Sequence, residues 1–144
     1  MNLADWIDRW AGFAPGKTAV HCDGRYLSYA AMADRVARLA GVLTRDLGVG
    51  RGDRVAVIGY NSPDTLVLLF ACARVGAIFL PLNWRLAAPE HEYIVNDCTP
   101  RALFAGPEFA AQVDASRGAI DVPHLVALAG DGPEGWRALA DLMA

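Results

Sequence analysis

Two side chains that could contact a ligand, Trp84 and Arg85, follow an apolar run that is predicted to form a strand. An arginine can bind a carboxylate or phosphate through paired N–H donors, and an indole ring packs well against planar groups. In open α/β sheets, ligands bind beyond the carboxyl ends of the strands. Trp84 and Arg85 are therefore the candidate substrate-binding residues. The structural alternative is that Trp84 packs on the next helix while Arg85 pairs with Glu90 or Glu92.

A glycine-rich segment at residues 48–52 has the composition of a phosphate-binding loop. Such loops follow a strand and open a helix, because the amides at a helix N-terminus then point at the phosphate. Here a predicted helix precedes the segment and a predicted strand follows it. The better interpretation is a helix end followed by a turn.

Other reactive side chains lack the spacing that catalysis or metal binding requires. The cysteines at positions 22, 72 and 98 are far apart, and the sequence contains no CxxC pair. His91 stands between two glutamates, but consecutive residues point to different sides of a helix and cannot bind one ion. Ser62 precedes a proline and is not flanked by the glycines of a nucleophile elbow. The sequence predicts no catalytic residue, no cofactor-binding residue and no metal ligand in this chain.

Composition narrows the class of protein. The chain has 144 residues, 54% of them apolar, and a net charge of −3. This length allows a sizeable core, so residues 1–144 are expected to form a single domain. The negative charge does not favour a nucleic-acid partner. The apolar stretch at residues 66–80 contains Arg74 and is too short to cross a bilayer, so no membrane span is expected.

The expected location is the cytoplasm. Three widely spaced cysteines suit a reducing compartment. Residues 1–5 also lack the basic and apolar regions with which a secretory signal begins.

The two candidate ligand-binding residues follow a predicted β-α-β unit. Residues 55–60 form a short apolar, β-branched run that is typical of a buried strand. Ser62 can cap the following helix, Pro63 fits its first turn, and Gly76 can end it in a left-handed conformation. A second apolar run at residues 77–80 then completes a unit of the kind that joins parallel strands.

The rest of the chain continues this alternation. Leu3, Trp6, Ile7 and Trp10 share one face of a short predicted helix. The next predicted elements are a hairpin of residues 18–22 and 25–29 with an Asp23-Gly24 turn, and a helix capped by Ser28 that runs to about Leu47. Downstream we expect a helix from Pro89 to Asp97, a strand at Ala102–Ala105, a helix from Gly106 to Ala115, a strand at residues 123–128 and a helix from Glu134 to Met143.

This order of elements indicates an α/β fold. It predicts a doubly wound, mostly parallel sheet with helices on both faces, preceded by a helix and a β-hairpin.

Several short motifs, taken in order, resemble the N-terminal region of adenylate-forming enzymes, the superfamily of acyl-CoA synthetases and AMP-dependent ligases. They occupy residues 48–57, Asn61-Ser62, residues 73–77 and residues 81–86. Residues 27–32 resemble the first core motif of the family, although Ala31 stands where glutamate is usual. The resemblance implies that this chain is part of the large N-terminal domain of the adenylate-forming fold.

The resemblance also implies an activity for a longer protein. Members of the family use ATP and Mg²⁺ to make an acyl-adenylate from a carboxylic acid, and acyl-CoA synthetases then transfer the acyl group to coenzyme A. Their Ser/Thr/Gly-rich loop, adenine-binding segment, ribose-binding aspartate and catalytic lysine have no counterpart here, and Lys17 is the only lysine. We therefore expect an N-terminal fragment that is inactive alone and whose partner is the remainder of the ligase. Residues 83–86, followed by Pro89 and Glu90, most resemble the branch that acts on fatty acids and related acids.

Two other interpretations remain open at this point. One is a stand-alone α/β scaffold or interaction module without catalysis. The other is a flavodoxin-like nucleotide-binding domain, although the chain lacks a Ser/Thr-rich loop after its first parallel strand. A fragment leaves apolar surface uncovered, so the leading interpretation also predicts self-association in isolation.

Overall fold

The computed structural model describes residues 2–144 and contains a two-stranded hairpin and a five-stranded sheet. In chain order the elements are α1 (Ala4–Phe13), β1 (Thr18–Cys22), β2 (Arg25–Ser28), α2 (Tyr29–Arg45), β3 (Arg54–Ile58), α3 (Pro63–Val75), β4 (Ile78–Pro81), α4 (Ala88–Cys98), β5 (Ala102–Ala105), α5 (Pro107–Ala115), β6 (His124–Ala127), β7 (Arg137–Ala138) and α6 (Leu139–Leu142). A 3-10 turn at Arg117–Ala119 lies between α5 and β6.

The larger sheet has the strand order β4-β3-β5-β6-β7, and every pair of neighbours is parallel. Val57 on β3 is in register with Pro81 on β4 and with Phe104 on β5. The chain first moves outward from β3 to the edge strand β4. It then returns past β3 to β5, so the direction of winding reverses between β3 and β5. The predicted doubly wound parallel sheet is confirmed.

Side chains of the central strands alternate between two cores, as the pleat of a strand requires. On one face, Val55, Val57 and Phe104 pack with residues of α1, α2 and α3. On the other face, Ala56 and Leu103 pack with residues of α4 and α5. Helices therefore cover both faces of the sheet, and loops meet at the ends of the strands.

The predicted helix caps are confirmed. The Ser28 hydroxyl accepts a hydrogen bond from the Ala31 amide at 3.2 Å, at the start of α2. The Ser62 hydroxyl accepts one from the Thr65 amide at 3.2 Å, at the start of α3. Gly76 ends α3 with a φ of 76°, in the left-handed region where a side chain would be strained. These local signals place β4 and the residues that follow it.

The predicted closing helix from Glu134 to Met143 is wrong over its first half. Residues 137 and 138 form β7, and only Leu139–Leu142 is helical. Gly135 has a φ of 82°, which is incompatible with a right-handed helix. Trp136 is buried instead, and its indole N–H donates to Asp114 Oδ1 at 2.9 Å. The apolar spacing that suggested a helix therefore comes from the buried Trp136 side chain and the short strand β7 that follows it.

The apolar face predicted for α1 is covered only in part. Ile7 is buried, whereas Trp6 and Trp10 are 56% and 42% exposed and Phe13 is 81% exposed. Trp10 stacks on Tyr29 with the ring centroids 5.6 Å apart, so its indole is held on the surface and does not enter the core. The outer side of α1 presents aromatic surface to solvent.

Cys72 is a core residue of α3, as the sequence predicts, and burial raises the pKa of its thiol from 9.0 to about 12. We expect iodoacetamide at mildly alkaline pH to modify the half-buried Cys22 and Cys98 faster than Cys72 in the folded chain. Peptide mass spectrometry measures this, with denatured chain as the control in which all three react. Equal labelling of all three cysteines in the folded chain would contradict the prediction.

Burial of Cys72 also makes stability depend on pH. The thiol of Cys72 ionises at a lower pH in the unfolded chain than in the folded one, so this group makes the free energy of unfolding fall as pH rises from 9.0 towards 12.

Candidate functional site

A crevice site is expected where the winding direction of an open α/β sheet reverses, here beyond the carboxyl ends of β3 and β5. Gly59 follows β3 and Gly106 follows β5, and their backbones lie close together. The Gly106 amide donates to the Ile58 carbonyl at 2.8 Å, and a Cβ on Gly59 would lie 3.5 Å from the Gly106 nitrogen. Because neither glycine has a side chain, the space just beyond the carboxyl ends of β3 and β5 is open at these two positions.

Three aromatic rings meet beyond the carboxyl ends of the strands. They belong to Tyr60, Trp84 and Phe109, and we call them the aromatic cluster. Tyr60 comes from the segment after β3, Trp84 from the segment after β4, and Phe109 from the first turn of α5 after β5. The Tyr60 ring centroid lies 5.0 Å from that of Trp84 and 5.1 Å from that of Phe109, and Trp84 and Phe109 are 6.3 Å apart. The Tyr60 contacts are edge-to-face, an arrangement that aromatic pairs favour. The cluster thus brings together side chains that follow three different strands.

Arg85 lies on the cluster, with its guanidinium carbon 4.3 Å from the centroid of the Trp84 ring. This is a cation–π arrangement that orients the planar guanidinium over the indole. The two glutamates considered as its partners have other roles: Glu90 caps the N-terminus of α4, and Glu92 accepts a hydrogen bond from Ser116 at 2.6 Å. The structure thus places both candidate residues beyond the carboxyl ends of the strands, and Trp84 packs against Phe109 of α5.

His91 is a buried residue beside this region. From the sequence it is excluded as a metal ligand, and no other role is predicted for it. Its exposed fraction is 8%, and its Nε2 lies 2.8 Å from the Asn83 carbonyl oxygen. Its Nδ1 lies 3.3 Å from Nε2 of Gln112 on α5. The signal that could have found it is helical spacing, because His91 and Val95 are four residues apart on the buried side of α4.

The glycine-rich segment at residues 48–52 lies before β3, at the amino ends of the parallel strands, whereas the aromatic cluster lies at their carboxyl ends. Gly48 and Gly52 have φ values of 62° and 84°. The Gly50 amide donates to Asp53 Oδ2 at 2.8 Å, which closes the turn. The interpretation as a helix end and turn is confirmed.

Two further features concern residues 2–144, the part of the chain that the structure describes. Nowhere in that range do three or more His, Cys, Asp or Glu side chains come together as a metal would require. Over the same range, none of the helices is both long enough and apolar enough to cross a membrane.

The sequence model of the family described as "AMP-binding enzyme" matches residues 7–141. The chain belongs to this family. It is 53% identical over 136 residues to an indoleacetate–CoA ligase of Aromatoleum aromaticum, a match that covers 94% of this chain and 26% of the relative. It is 46% identical over 115 residues to a feruloyl-CoA synthase of an Amycolatopsis species, with 80% and 23% covered.

A solved structure shows the same fold. The anthranilate CoA ligase AuaEII, crystallised with anthranoyl-AMP, superimposes with a TM-score of 0.93 at 26% identity, over 99% of this chain and 28% of that one. The chain thus spans about a quarter of the length of the curated relatives it matches, and it corresponds to their N-terminal quarter. The resemblance to adenylate-forming CoA ligases is confirmed, and the flavodoxin-like alternative has no support.

Proposed function

We propose that this chain is the first part of an acyl-CoA synthetase that converts a carboxylic acid into its CoA thioester through an acyl-adenylate. The observation that carries the proposal is the family match across residues 7–141, together with relatives that are CoA ligases. In that enzyme, residues 1–144 form a single folded unit that is the N-terminal part of the large domain, and the remainder of the ligase is their partner. The whole enzyme would consume ATP and coenzyme A, and Mg²⁺ would accompany the ATP without being consumed. Three free cysteines are compatible with the cytoplasm as its location.

Within this proposal, Trp84 and Arg85 line the crevice that receives the acid. The aromatic cluster offers ring faces and edges against which a planar apolar group packs well. Arg85 adds a positive charge next to that surface, suited to a carboxylate or phosphate oxygen. The substrate class that fits best is an aromatic acid, as the names of the relatives also indicate. A fatty acid, which the motif at residues 83–86 favours, is the second candidate.

A chimera tests the proposal. This chain replaces the matching N-terminal part of the Aromatoleum relative, with which it shares 53% identity. We expect CoA-thioester formation from aromatic acids, measured against a panel that includes fatty acids. Trp84→Ala and Arg85→Ala should each raise KM for the acid about tenfold or more, since each removes a contact worth roughly 1–3 kcal/mol, and should leave KM for CoA unchanged.

The matched control is Tyr93→Ala, because Tyr93 is 74% exposed on α4 and is not one of the rings of the aromatic cluster. This change should leave every kinetic constant as it was. A folded chimera without activity would overturn the proposed function. An active chimera in which Trp84→Ala and Arg85→Ala leave KM for the acid unchanged would overturn the assignment of the two residues.

The 144-residue chain alone is expected to show no ATP–pyrophosphate exchange with any carboxylic acid. Its sequence has no Ser/Thr/Gly-rich loop to hold the phosphates and no lysine besides Lys17 to stabilise charge at phosphorus. The measurement is isotope exchange with the same acid panel, and the active chimera is the positive control. Robust exchange by the isolated chain would show that the catalytic groups lie within residues 1–144.

A further inference from the structure

His91 joins three parts of the molecule at the edge of the candidate site. It lies in the first turns of α4, its Nε2 contacts the Asn83 carbonyl after β4, and its Nδ1 contacts Gln112 of α5. The side chain is buried, with an exposed fraction of 8%. A buried polar group of this kind must be hydrogen-bonded, because an unsatisfied donor or acceptor there is costly.

The two contacts determine where the imidazole proton lies. A carbonyl oxygen can only accept, so His91 Nε2 must carry the hydrogen in the 2.8 Å contact with Asn83. In the neutral ring Nδ1 is then an acceptor, and the Gln112 side-chain N–H donates to it across 3.3 Å. Both ring nitrogens are satisfied only in this tautomer.

Asn83 is the first residue of the turn that carries the two candidate residues. Its carbonyl also accepts from the Leu86 amide at 3.1 Å. Its side-chain Oδ1 accepts from the Arg85 amide at 3.1 Å. An imidazole that holds the Asn83 carbonyl therefore holds the turn, with Trp84 inside it.

Gln112 connects the same imidazole to the third ring of the cluster. Gln112 and Phe109 are three residues apart on α5 and are neighbours on the helix surface. Phe109 packs against both Tyr60 and Trp84. His91 is thus bonded to both of the elements whose relative position determines the geometry of the aromatic cluster.

We propose that His91 is a positioning residue: its Nε2–H form fixes residues 83–86 against α5, so that Trp84 and Arg85 face the crevice. What these residues bind rests on the proposed function, but the hydrogen-bond arrangement does not. His91 itself touches no reacting atom in this proposal.

Two substitutions separate the two bonds. His91→Gln places an amide N–H near the position of Nε2 and so keeps a donor for Asn83, while it loses the acceptor for Gln112. His91→Asn places a carbonyl oxygen near Nδ1 and so keeps an acceptor for Gln112, while it loses the donor for Asn83. If the bond to Asn83 positions the turn, the glutamine variant retains the turn geometry and the asparagine variant does not.

The experiment uses NMR of the 144-residue chain. Long-range nitrogen–proton spectra of the imidazole at mildly alkaline pH should show His91 in the Nε2–H tautomer. Hydrogen exchange of the Leu86 amide should be about five- to tenfold faster in His91→Asn than in the unchanged chain, and near the original rate in His91→Gln. The Trp84 indole signal should shift in the asparagine variant only. His124→Asn, at a half-buried histidine on β6, is the matched control and should change none of these signals.

An Nδ1–H tautomer, or equal effects of the two substitutions on the turn, would overturn the proposal. In the active chimera, His91→Asn should also raise KM for the acid while leaving kcat within about twofold, and His91→Gln should not. If the proposed function is wrong, the folded chimera forms no CoA thioester, yet the NMR result still decides the role of His91. The two failures are therefore distinguishable.

Discussion

Replacing Phe104 by alanine is expected to lower the free energy of unfolding by about 3–5 kcal/mol, the largest effect of any single truncation proposed for this chain. Phe104 has an exposed fraction of 0% and lies on β5, the central strand of the sheet. Its neighbours in register are Val57 on β3 and Val126 on β6, and both are buried. The cavity cannot be filled by a small shift, because β5 is held on both sides. Since a domain of this size has a total stability of about 5–15 kcal/mol, the loss is a large fraction of the whole.

Urea unfolding followed by circular dichroism measures the effect, and Phe13→Ala is the matched control. The chemical change is the same, but Phe13 is 81% exposed at the end of α1, so the expected loss is below about 0.5 kcal/mol. Both variants are compared at low protein concentration so that association does not contribute. Similar midpoints for the two variants would mean that β5 is not the centre of the core.

Features that depend on a few neighbouring residues could be predicted from the sequence. The hairpin turn is one, since Asp23 and Gly24 adopt φ values of 49° and 74°, as a two-residue turn of this kind requires. The start of α3 is another, because a hydroxyl at Ser62 can reach the Thr65 amide whatever lies elsewhere in the chain. Such signals placed β3, α3 and β4, and with them the segment that carries Trp84 and Arg85.

Features that depend on contacts between distant residues could not be predicted in this way. The strand order places β5 next to β3, although β4 comes between them in the sequence. The aromatic cluster follows from that order, since Phe109 reaches Tyr60 only when β5 lies beside β3. The prediction of the closing helix was wrong for a similar reason. The spacing of apolar residues at Trp136 suited a helix, but the hydrogen bond of its indole to Asp114 holds Trp136 in the core between the sheet and helices α4 and α5.

His91 shows why the site was harder to predict than the fold. In the sequence it stands between two glutamates, which suggests a polar and exposed environment. In the structure it is buried, and neither hydrogen-bond partner of its ring is one of those glutamates. Its partners are a backbone carbonyl eight residues away and a side chain 21 residues away. No local pattern encodes such a pairing.

The isolated chain is expected to self-associate through the outer side of α1. Trp6, Trp10 and Phe13 lie four and three residues apart on that helix and are 56%, 42% and 81% exposed. With Arg9 they line an open depression of about 490 Å³. Burying a large apolar side chain contributes about 1.5–3 kcal/mol, so each ring that is covered can strengthen association by about tenfold or more. Sedimentation at increasing concentration should show species larger than the 15.4 kDa monomer.

The double variant Trp6→Glu with Phe13→Glu should shift this distribution to the monomer, because it places two like charges in the contact. Tyr93→Glu is the control: Tyr93 is 74% exposed on α4, on the other side of the sheet, so the same change there should leave association as it was. A wild-type chain that is monomeric at all concentrations and melts cooperatively would favour the stand-alone module, because its aromatic surface would then need no cover. Association that the double variant abolishes and the Tyr93 variant retains would identify α1 as the surface that a longer protein must cover.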